Sequence, residues 1–399
     1  MFCAALCGGM EITMSQSIFC GRGTKVSHGD FMNLINVCFG FTSPESDFRG
    51  LLPKCYREEY RPQDSNYVVI DEEGNLAAAV GAYDHEIEVC GRRIPCRGIG
   101  NVGVHQDHRK KGYMKLAMDQ SLSDMIADGI ALSTLGGRRQ RYQYFGYDKA
   151  GPIYHFYISD QNCHHLFGDT PSSFTVREIT DPTDPVIREI SALNAASPFC
   201  PIRDESTYLD IAVSWKAALL TLWDGDRFVG YCIKERGPVT EVQTVRDVDF
   251  MEVIHALFDH FGGAYTIHIP PHQHAYASAL APVAEGIAMN CAMHFNVLDY
   301  RSVIEAFLAL KLTYTTLPEG SLSLLIHGYA RDERLRVVVR SGTPSVEVLT
   351  DTAPVDFELP HLDAMEFLFS PICAFRDTAC DLARIWFPLP ICMYRADEV

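Results

Sequence analysis

The chain has 399 residues, 47% of them hydrophobic, and a formal net charge of −17. This length and composition predict two or three globular domains with sizeable cores. The acidic balance argues against a dedicated nucleic-acid-binding protein, because such proteins bind phosphates with basic side chains. It also argues against general attraction to anionic membranes.

Fourteen cysteines are scattered along the chain, and no C-x-x-C pair indicates a zinc ribbon or a thioredoxin-type site. We therefore expect reduced thiols in a cytoplasmic protein. Residues 1–7 are apolar but lack the length and the basic start of a signal peptide, and Met10 and Met14 offer later starts. No run of about eighteen apolar residues predicts a membrane span.

The N-terminal quarter of the chain predicts a helix and then antiparallel strands. Apolar residues at helical spacing predict a helix from Val26 to Phe39, which Ser27 or Asp30 can cap. Tyr67–Ile70 and Leu76–Tyr83 predict a hairpin over a glycine-containing turn.

A predicted strand, a basic turn and a predicted helix follow one another after residue 101. Val102 and Val104 alternate as in a strand, and apolar residues recur at helical spacing after Gly112. The turn between them carries Arg109, Lys110 and Lys111. Unpaired N–H groups and the positive end of the helix dipole attract anions at such a helix start, and the glycine permits close approach of the backbone. The turn therefore predicts a pyrophosphate site.

A competing motif overlaps this stretch. Residues 98–103 match G-x-G-x-x-G, the dinucleotide fingerprint, which must follow a strand and open a helix directly. Here Gly103 lies between the two valines of the predicted strand, and the helix starts only near Gly112. A dinucleotide oxidoreductase is therefore the weaker alternative.

The pattern Val-x-Val, four residues, Arg-x-x-Gly-x-Met resembles the acetyl-coenzyme A signature of the GCN5-related N-acetyltransferases (GNAT). The resemblance implies that the backbone of Val102, Gly103 and Val104 binds the pantetheine arm. It implies a diphosphate-binding turn formed by Arg109, Lys110, Lys111, Gly112, Tyr113, Met114 and Lys115. The order helix, antiparallel strands, helix and the short apolar run Ile130–Leu135 matches this fold, in which two parallel strands separate around acetyl-CoA.

The segment Tyr142–Tyr147 provides the second resemblance, to the Eis-like (enhanced intracellular survival) branch of these enzymes. It implies that Tyr142, three residues before Phe145, is the general acid that protonates the coenzyme A thiolate. Tyr144 and Tyr147 are close enough in sequence to be confused with it.

The catalytic base is harder to assign from the sequence. In the Eis-like branch the terminal carboxylate of the chain enters the active site, which implies Val399 as the base here. Relatives often end in an aromatic residue, whereas this chain ends Asp397-Glu398-Val399. A disordered acidic tail, with Asp84 or Glu86 as the base, is the alternative.

The remaining sequence predicts two further units. Residues 153–293 show strand, hairpin and helix signals of a second, degenerate GNAT-like domain without an Arg-x-x-Gly turn, after a catalytic domain at residues 1–152. Residues 294–399, a helix and an antiparallel meander, resemble a sterol-carrier-protein-like domain. The expected fold class is α/β (α+β): tandem GNAT folds followed by that domain.

His268, His272 and His274 surround Pro270-Pro271, but their spacing matches no metal motif, and we expect no metal. The resulting hypothesis is an acetyl-CoA-dependent N-acetyltransferase. Its expected acceptor is a primary amine of a cationic small molecule, aminoglycoside- or polyamine-like, or of a lysine side chain. The resemblance implies a homo-oligomer, from dimer to hexamer. The alternative is a non-catalytic sensor that binds coenzyme A or a lipid.

Overall fold

The computed structural model describes residues 17–41 and 47–399. The possible starts Met10 and Met14 and the apolar segment 1–7 lie outside these residues. The predicted α/β class is confirmed, because helices pack on a large mixed sheet. No helix in the described ranges is long and apolar enough to cross a membrane.

The first part of the chain contains the predicted helix, hairpin, strand and second helix. Its elements are β1 (Phe19–Arg22), α1 (His28–Phe39), α2 (Phe48–Leu51), α3 (Pro53–Tyr56), β2 (Asn66–Ile70), β3 (Leu76–Val89), β4 (Arg92–Val104), α4 (Tyr113–Ala127), β5 (Leu132–Leu135), α5 (Arg139–Tyr142) and β6 (Asp148–Ile158). Ser27 caps the start of α1, where its hydroxyl accepts a hydrogen bond from the Asp30 amide, and Gly40, with φ of 73°, caps its end.

The middle of the chain repeats the order of strands, helix and strand. Its elements are α6 (Asp160–Phe167), β7 (Phe174–Ile179), α7 (Val186–Ala195), β8 (Phe199–Pro201), α8 (Tyr208–Ala212), β9 (Ala218–Asp224), β10 (Arg227–Lys234), β11 (Val239–Thr244), α9 (Phe250–Phe261), β12 (Tyr265–Ile269), α10 (His274–Leu280) and β13 (Gly286–Val297). Helix α9 buries one apolar face, including Val253, Ile254 and Leu257, against this part of the sheet.

The last part of the chain contains the predicted helix and meander. Its elements are α11 (Tyr300–Leu312), β14 (Gly320–His327), β15 (Asp332–Arg340), β16 (Thr343–Val348), β17 (Phe357–Pro360), α12 (His361–Phe369), α13 (Ala374–Ala379) and α14 (Asp381–Trp386). Strands β14 to β16 are antiparallel, and β17 adds to β14 in parallel. Alternate residues of β15 are buried, as the sequence pattern predicts, whereas in β14 Ser323 is buried together with Leu322, Leu324 and Ile326.

One 13-stranded sheet joins the first two parts, in the order β1-β2-β3-β4-β5-β13-β6-β12-β11-β10-β9-β7, with β8 paired to β3. Strand β13 lies between β5 and β6 and is antiparallel to both. The predicted domain boundaries at 152/153 and 293/294 therefore fall inside strands β6 and β13. Alternating apolar residues identify a strand but not its partner, so the sequence could not reveal this interleaving.

Candidate active site

The sheet opens between β4 and β5. The two strands pair in parallel only from Cys96 with Leu132 to Ile99 with Leu135. Beyond Ile99, β4 continues to Val104 and pairs only with β3 on its other side. The backbone of residues 100–104 therefore faces an opening and can hydrogen-bond to an extended ligand, as an added strand would.

A bulge in β4 lies at the mouth of this opening. Asn101 has a φ of 38°, and the register between β3 and β4 shifts beside it. Its side chain accepts a hydrogen bond from the Tyr56 hydroxyl at 2.6 Å and donates one to Asn66 at 2.8 Å. These buried bonds fix the bulge, which redirects Val102 toward the opening.

A basic cleft of about 730 Å³ extends from this opening. It is lined by Cys38, Phe39, Val102, Gly103, Val104, His108, Arg109, Lys110, Gly112, Tyr113, Met114, Lys115, Arg141 and Phe145. Nearly all the residues predicted to bind acetyl-CoA thus meet in one cleft. Lys111 is not among them: its ammonium group lies 5.9 Å from the centre of the Tyr113 ring. No carboxylate side chain of the described residues lines the cleft, so its charge suits an anionic ligand.

The start of α4 is open to the same cleft. Gly112 is its N-cap residue, with φ of 83°, and no side chain caps the helix. By contrast, α9 in the middle of the chain begins after Asp249, whose carboxylate accepts a hydrogen bond from the Met251 amide. The free amides of α4 can therefore bind phosphate oxygens, whereas Asp249 occupies the corresponding end of α9.

The opening in the second part of the sheet is closed by side chains. Strands β11 and β12 pair only at Val239 and Ile267. Beyond this pair, Gln273 donates a hydrogen bond to the Val242 carbonyl at 3.0 Å, and the Tyr276 hydroxyl accepts one from the Thr244 amide at 3.0 Å. The backbone groups of β11 that face this opening are thus already hydrogen-bonded to side chains, whereas those of β4 face an open cleft.

An aromatic cavity of about 380 Å³ adjoins the basic cleft. The two share Phe39, Val102 and Arg141 as lining residues. The rest of its lining is Phe41, Phe48, Leu51, Leu52, Ile99, Gly100, Asn101, Gly136, Gly137, Arg138, Tyr142, Trp215, Arg395, Glu398 and Val399. Both residues predicted to be catalytic, Tyr142 and Val399, therefore line one cavity beside the predicted acetyl-CoA site.

Of the three candidate tyrosines, Tyr142 is the one that lines this cavity. Tyr144 is 65% exposed, and the buried Tyr147 hydroxyl lies 2.7 Å from Ser133. Gly137, with φ of 148°, lets the Tyr142 ring lie against its backbone. Burial raises the pKa of the Tyr142 phenol, and the Arg141 guanidinium offsets part of that rise. The phenol therefore stays protonated near neutral pH and can donate a proton.

The terminal residue lies directly against strand β4. A Cβ built on Gly98 would lie 2.6 Å from Val399 Cγ2, and one built on Gly100 would lie 3.1 Å from the Val399 carboxyl carbon. These glycines therefore leave room for the end of the chain. The dinucleotide interpretation is wrong, because its glycines lie inside a strand and α4 begins only at Tyr113.

The acidic tail is held in place rather than disordered. Lys54 donates hydrogen bonds to the carbonyls of Ala396 and Glu398 at 2.5 and 2.7 Å, and the Trp215 indole donates one to the Glu398 carbonyl at 3.2 Å. These partners come from two distant parts of the chain. No local motif marks them, so sequence reasoning missed them.

A buried ion-pair network completes this attachment. Arg203 binds Glu241 at 2.7 Å and Asp397 at 2.7 Å, and the three side chains are at most 8% exposed. Burial opposes ionisation of Asp397, but the Arg203 guanidinium outweighs it, so the pKa of Asp397 lies below its usual range. The carboxylate therefore remains charged and bound at neutral pH.

Replacing Asp397 by Ala should lower the free energy of unfolding by about 1–3 kcal/mol, because buried donors of Arg203 lose their acceptor. Urea denaturation at neutral pH measures this loss. The difference from wild type should shrink as the pH falls through the depressed pKa of Asp397, since protonation removes the same interaction. Asp381→Ala, at an exposed pair with Arg384, is the matched control and should have little effect. Equal stability of both variants would contradict the anchoring role.

The other sequence candidates lie elsewhere. Asp84 and Glu86 pair with Arg97 and Arg93 and line neither cavity. His268 stacks on His155 with ring centres 3.9 Å apart. Among residues 17–41 and 47–399, no group of three or more His, Cys, Asp or Glu side chains is arranged to hold a metal ion.

Known proteins resemble this chain in part of its sequence and in its fold. Residues 22–150 match the model of the acetyltransferase (GNAT) domain. No curated protein sequence matches the chain. A probable N-acyltransferase from Enterococcus faecalis V583 has a similar structure, with 14% identity and a TM-score of 0.61 over 86% of this chain and 88% of that one.

Two other solved structures are similar over most of their length. A GCN5-related N-acetyltransferase from Kribbella flavida shares 16% identity, with a TM-score of 0.60 over 85% of each chain. Eis1 from Mycobacterium abscessus shares 13% identity, with a TM-score of 0.60 over 96% of this chain and 100% of that one. At these identities the likeness concerns the fold. The domain match identifies residues 22–150 as a GNAT domain, and the protein is therefore an N-acetyltransferase.

Proposed function

We propose that the enzyme transfers the acetyl group of acetyl-CoA to a primary amine of a cationic small molecule, aminoglycoside- or polyamine-like, or of a lysine side chain. One observation carries this proposal: the basic cleft and the aromatic cavity share a wall, and the cavity holds Tyr142 and the Val399 carboxylate. Acetyl-CoA is the co-substrate of the GNAT fold. Its diphosphate suits the free amides of α4 with Arg109 and Lys110.

The two groups in the aromatic cavity have complementary roles in the proposed reaction. The Val399 carboxylate accepts a proton from the amine, directly or through a water molecule. The neutral amine nitrogen then forms a bond to the acetyl carbonyl carbon while the carbon–sulfur bond breaks, and the second proton on that nitrogen is released to solvent. Tyr142 donates its phenolic proton to the departing sulfur, so the products are an amide and free coenzyme A. The proton held by the Val399 carboxylate then returns to the Tyr142 oxygen through solvent, which restores both groups.

A non-catalytic sensor of coenzyme A or a lipid is the weaker alternative. Such a protein has no need of a second cavity beside the acyl end of the ligand. The aromatic cavity is open next to Tyr142 and has room for an amine substrate. Three further expectations stay predictions: a sterol-carrier-like domain at residues 294–399, a homo-oligomer and a cytoplasmic location.

Titrating acetyl-CoA by calorimetry tests the donor site. Gly112→Asp should weaken binding at least about tenfold, because its carboxylate would face the diphosphate at the helix start. Gly129→Asp is the matched control: Gly129 also has a positive φ, of 72°, but lies beyond the opposite end of α4. The donor site is refuted if wild-type protein binds no acetyl-CoA, or if both variants bind equally.

Coenzyme A thiol release with a panel of amines tests the transfer itself. The panel contains aminoglycosides, polyamines and lysine peptides, and product masses identify the acetylated group. Amine-dependent release with a matching mass gain is the expected result. Acetyl-CoA binding without release from any amine would favour the sensor.

A further inference from the structure

Positively charged side chains around the aromatic cavity outnumber the negatively charged groups that could neutralise them. Arg395 is already neutralised: it pairs with Glu398, lies 3.1 Å from Glu235 and packs 3.9 Å from the Trp215 ring. Arg138 and Arg141 are exposed and form no ion pair within residues 17–41 and 47–399. Two cations at the cavity rim therefore lack a protein counter-ion.

The negative charge in the cavity is small by comparison. Among the described residues that line it, the carboxylates are the Glu398 side chain and the terminal group of Val399. Glu398 is paired with Arg395, which leaves the Val399 carboxylate to meet a protonated amine. A second ammonium group on the acceptor would face arginines, and like charges at short range repel.

We propose that the acceptor carries an anionic group, a carboxylate or a phosphate, in addition to its primary amine. This inference rests on the acetyl transfer proposed above. Arg138 and Arg141 bind the anion, and the amine lies at Val399. Arginine suits this role because its planar fork binds carboxylate and phosphate oxygens in pairs. Among the acceptors proposed above, Arg138 and Arg141 favour a lysine-type amine with a nearby anionic group over a polyamine- or aminoglycoside-like polycation.

The two arginines differ in one useful respect. Arg141 also lines the basic cleft, so its replacement would disturb acetyl-CoA as well. Arg138 lines the aromatic cavity but not the basic cleft. Arg138 is therefore the specificity-determining residue whose variants report on the acceptor.

Matched amines of four to eight carbons test the proposal in thiol-release assays with the full-length enzyme. At each length the far end carries a carboxylate, a methyl group or a second ammonium group. At the best length, kcat/KM should be about 10–100-fold higher for the carboxylate than for the diamine. Equal values, or a higher value for the diamine, would overturn the inference while leaving acetyl transfer intact. Absence of release from every amine would instead defeat the proposed function.

Charge reversal at the rim gives the second test. Arg138→Glu should lower the ratio of carboxylate to diamine kcat/KM by about 10–100-fold, and Arg138→Lys should retain much of it. Arg188→Glu, at an arginine side chain that is 83% exposed and lines neither cavity, is the control. Melting temperatures verify that each variant is folded. An unchanged ratio in folded Arg138→Glu protein would reject the role of Arg138.

Discussion

Replacing Tyr142 by Phe should lower kcat by about 10²–10⁴-fold while the affinity for acetyl-CoA changes little. The variant keeps the buried ring against Gly137 and removes only the hydroxyl that would protonate the departing sulfur. Steady-state kinetics with saturating acetyl-CoA measure the loss of turnover, and calorimetry measures the affinity. Because burial raises the pKa of this phenol, ionisation of Tyr142 should not limit activity near neutral pH.

Two neighbouring tyrosines serve as controls for this result. Tyr144→Phe alters an exposed side chain and should leave kcat nearly unchanged. Tyr147→Phe removes a buried hydrogen bond to Ser133 and should cost about 0.5–1.5 kcal/mol of stability, with a smaller loss of turnover. Equal kcat for wild type and Tyr142→Phe would remove Tyr142 from the chemistry.

Deleting Val399 should lower kcat/KM by about 10²–10⁴-fold. The new terminal carboxylate would belong to Glu398. It would therefore not reach the position beside Gly98 and Gly100 that the Val399 carboxylate occupies. The deletion retains Asp397, so its ion pair with Arg203 and most of the fold should persist. Circular dichroism and melting temperature verify the fold, and thiol release with a responsive amine measures the activity.

Extending the chain by one glycine gives the complementary test. The extension keeps every existing side chain but converts the Val399 carboxylate into an amide and moves the charge away from β4. Both variants should therefore lose activity to a similar extent. Full activity in either one would show that another group accepts the proton.

Local features of the site could be predicted from the sequence because neighbouring residues determine them. Val102, Arg109 and Gly112 follow one another through a strand, a turn and a helix start, and each such element has a recognisable pattern. Tyr142 was distinguished from Tyr144 by its distance from Phe145, and the structure places it in the cavity.

Features that depend on distant residues could not be predicted. Lys54, Arg203 and Trp215 hold the tail, yet nothing in their own sequence neighbourhoods marks a partner near residue 397. Gly98 and Gly100 match a dinucleotide pattern because the spacing of glycines indicates that another group contacts the backbone closely. The spacing does not indicate whether that group is a ligand or another part of the chain. Here the neighbour is the end of the same chain.

The position of strand β13 has a consequence for how the enzyme is made. Its hydrogen bonds complete the ladders of both β5 and β6, although it is synthesised long after them. A nascent or truncated chain that stops soon after β6 would leave one edge of β5 and both edges of β6 without these partners, and bare strand edges invite aggregation. We therefore expect residues 22–150, expressed alone, to aggregate, because this part of the sheet is complete only once β13 has been synthesised.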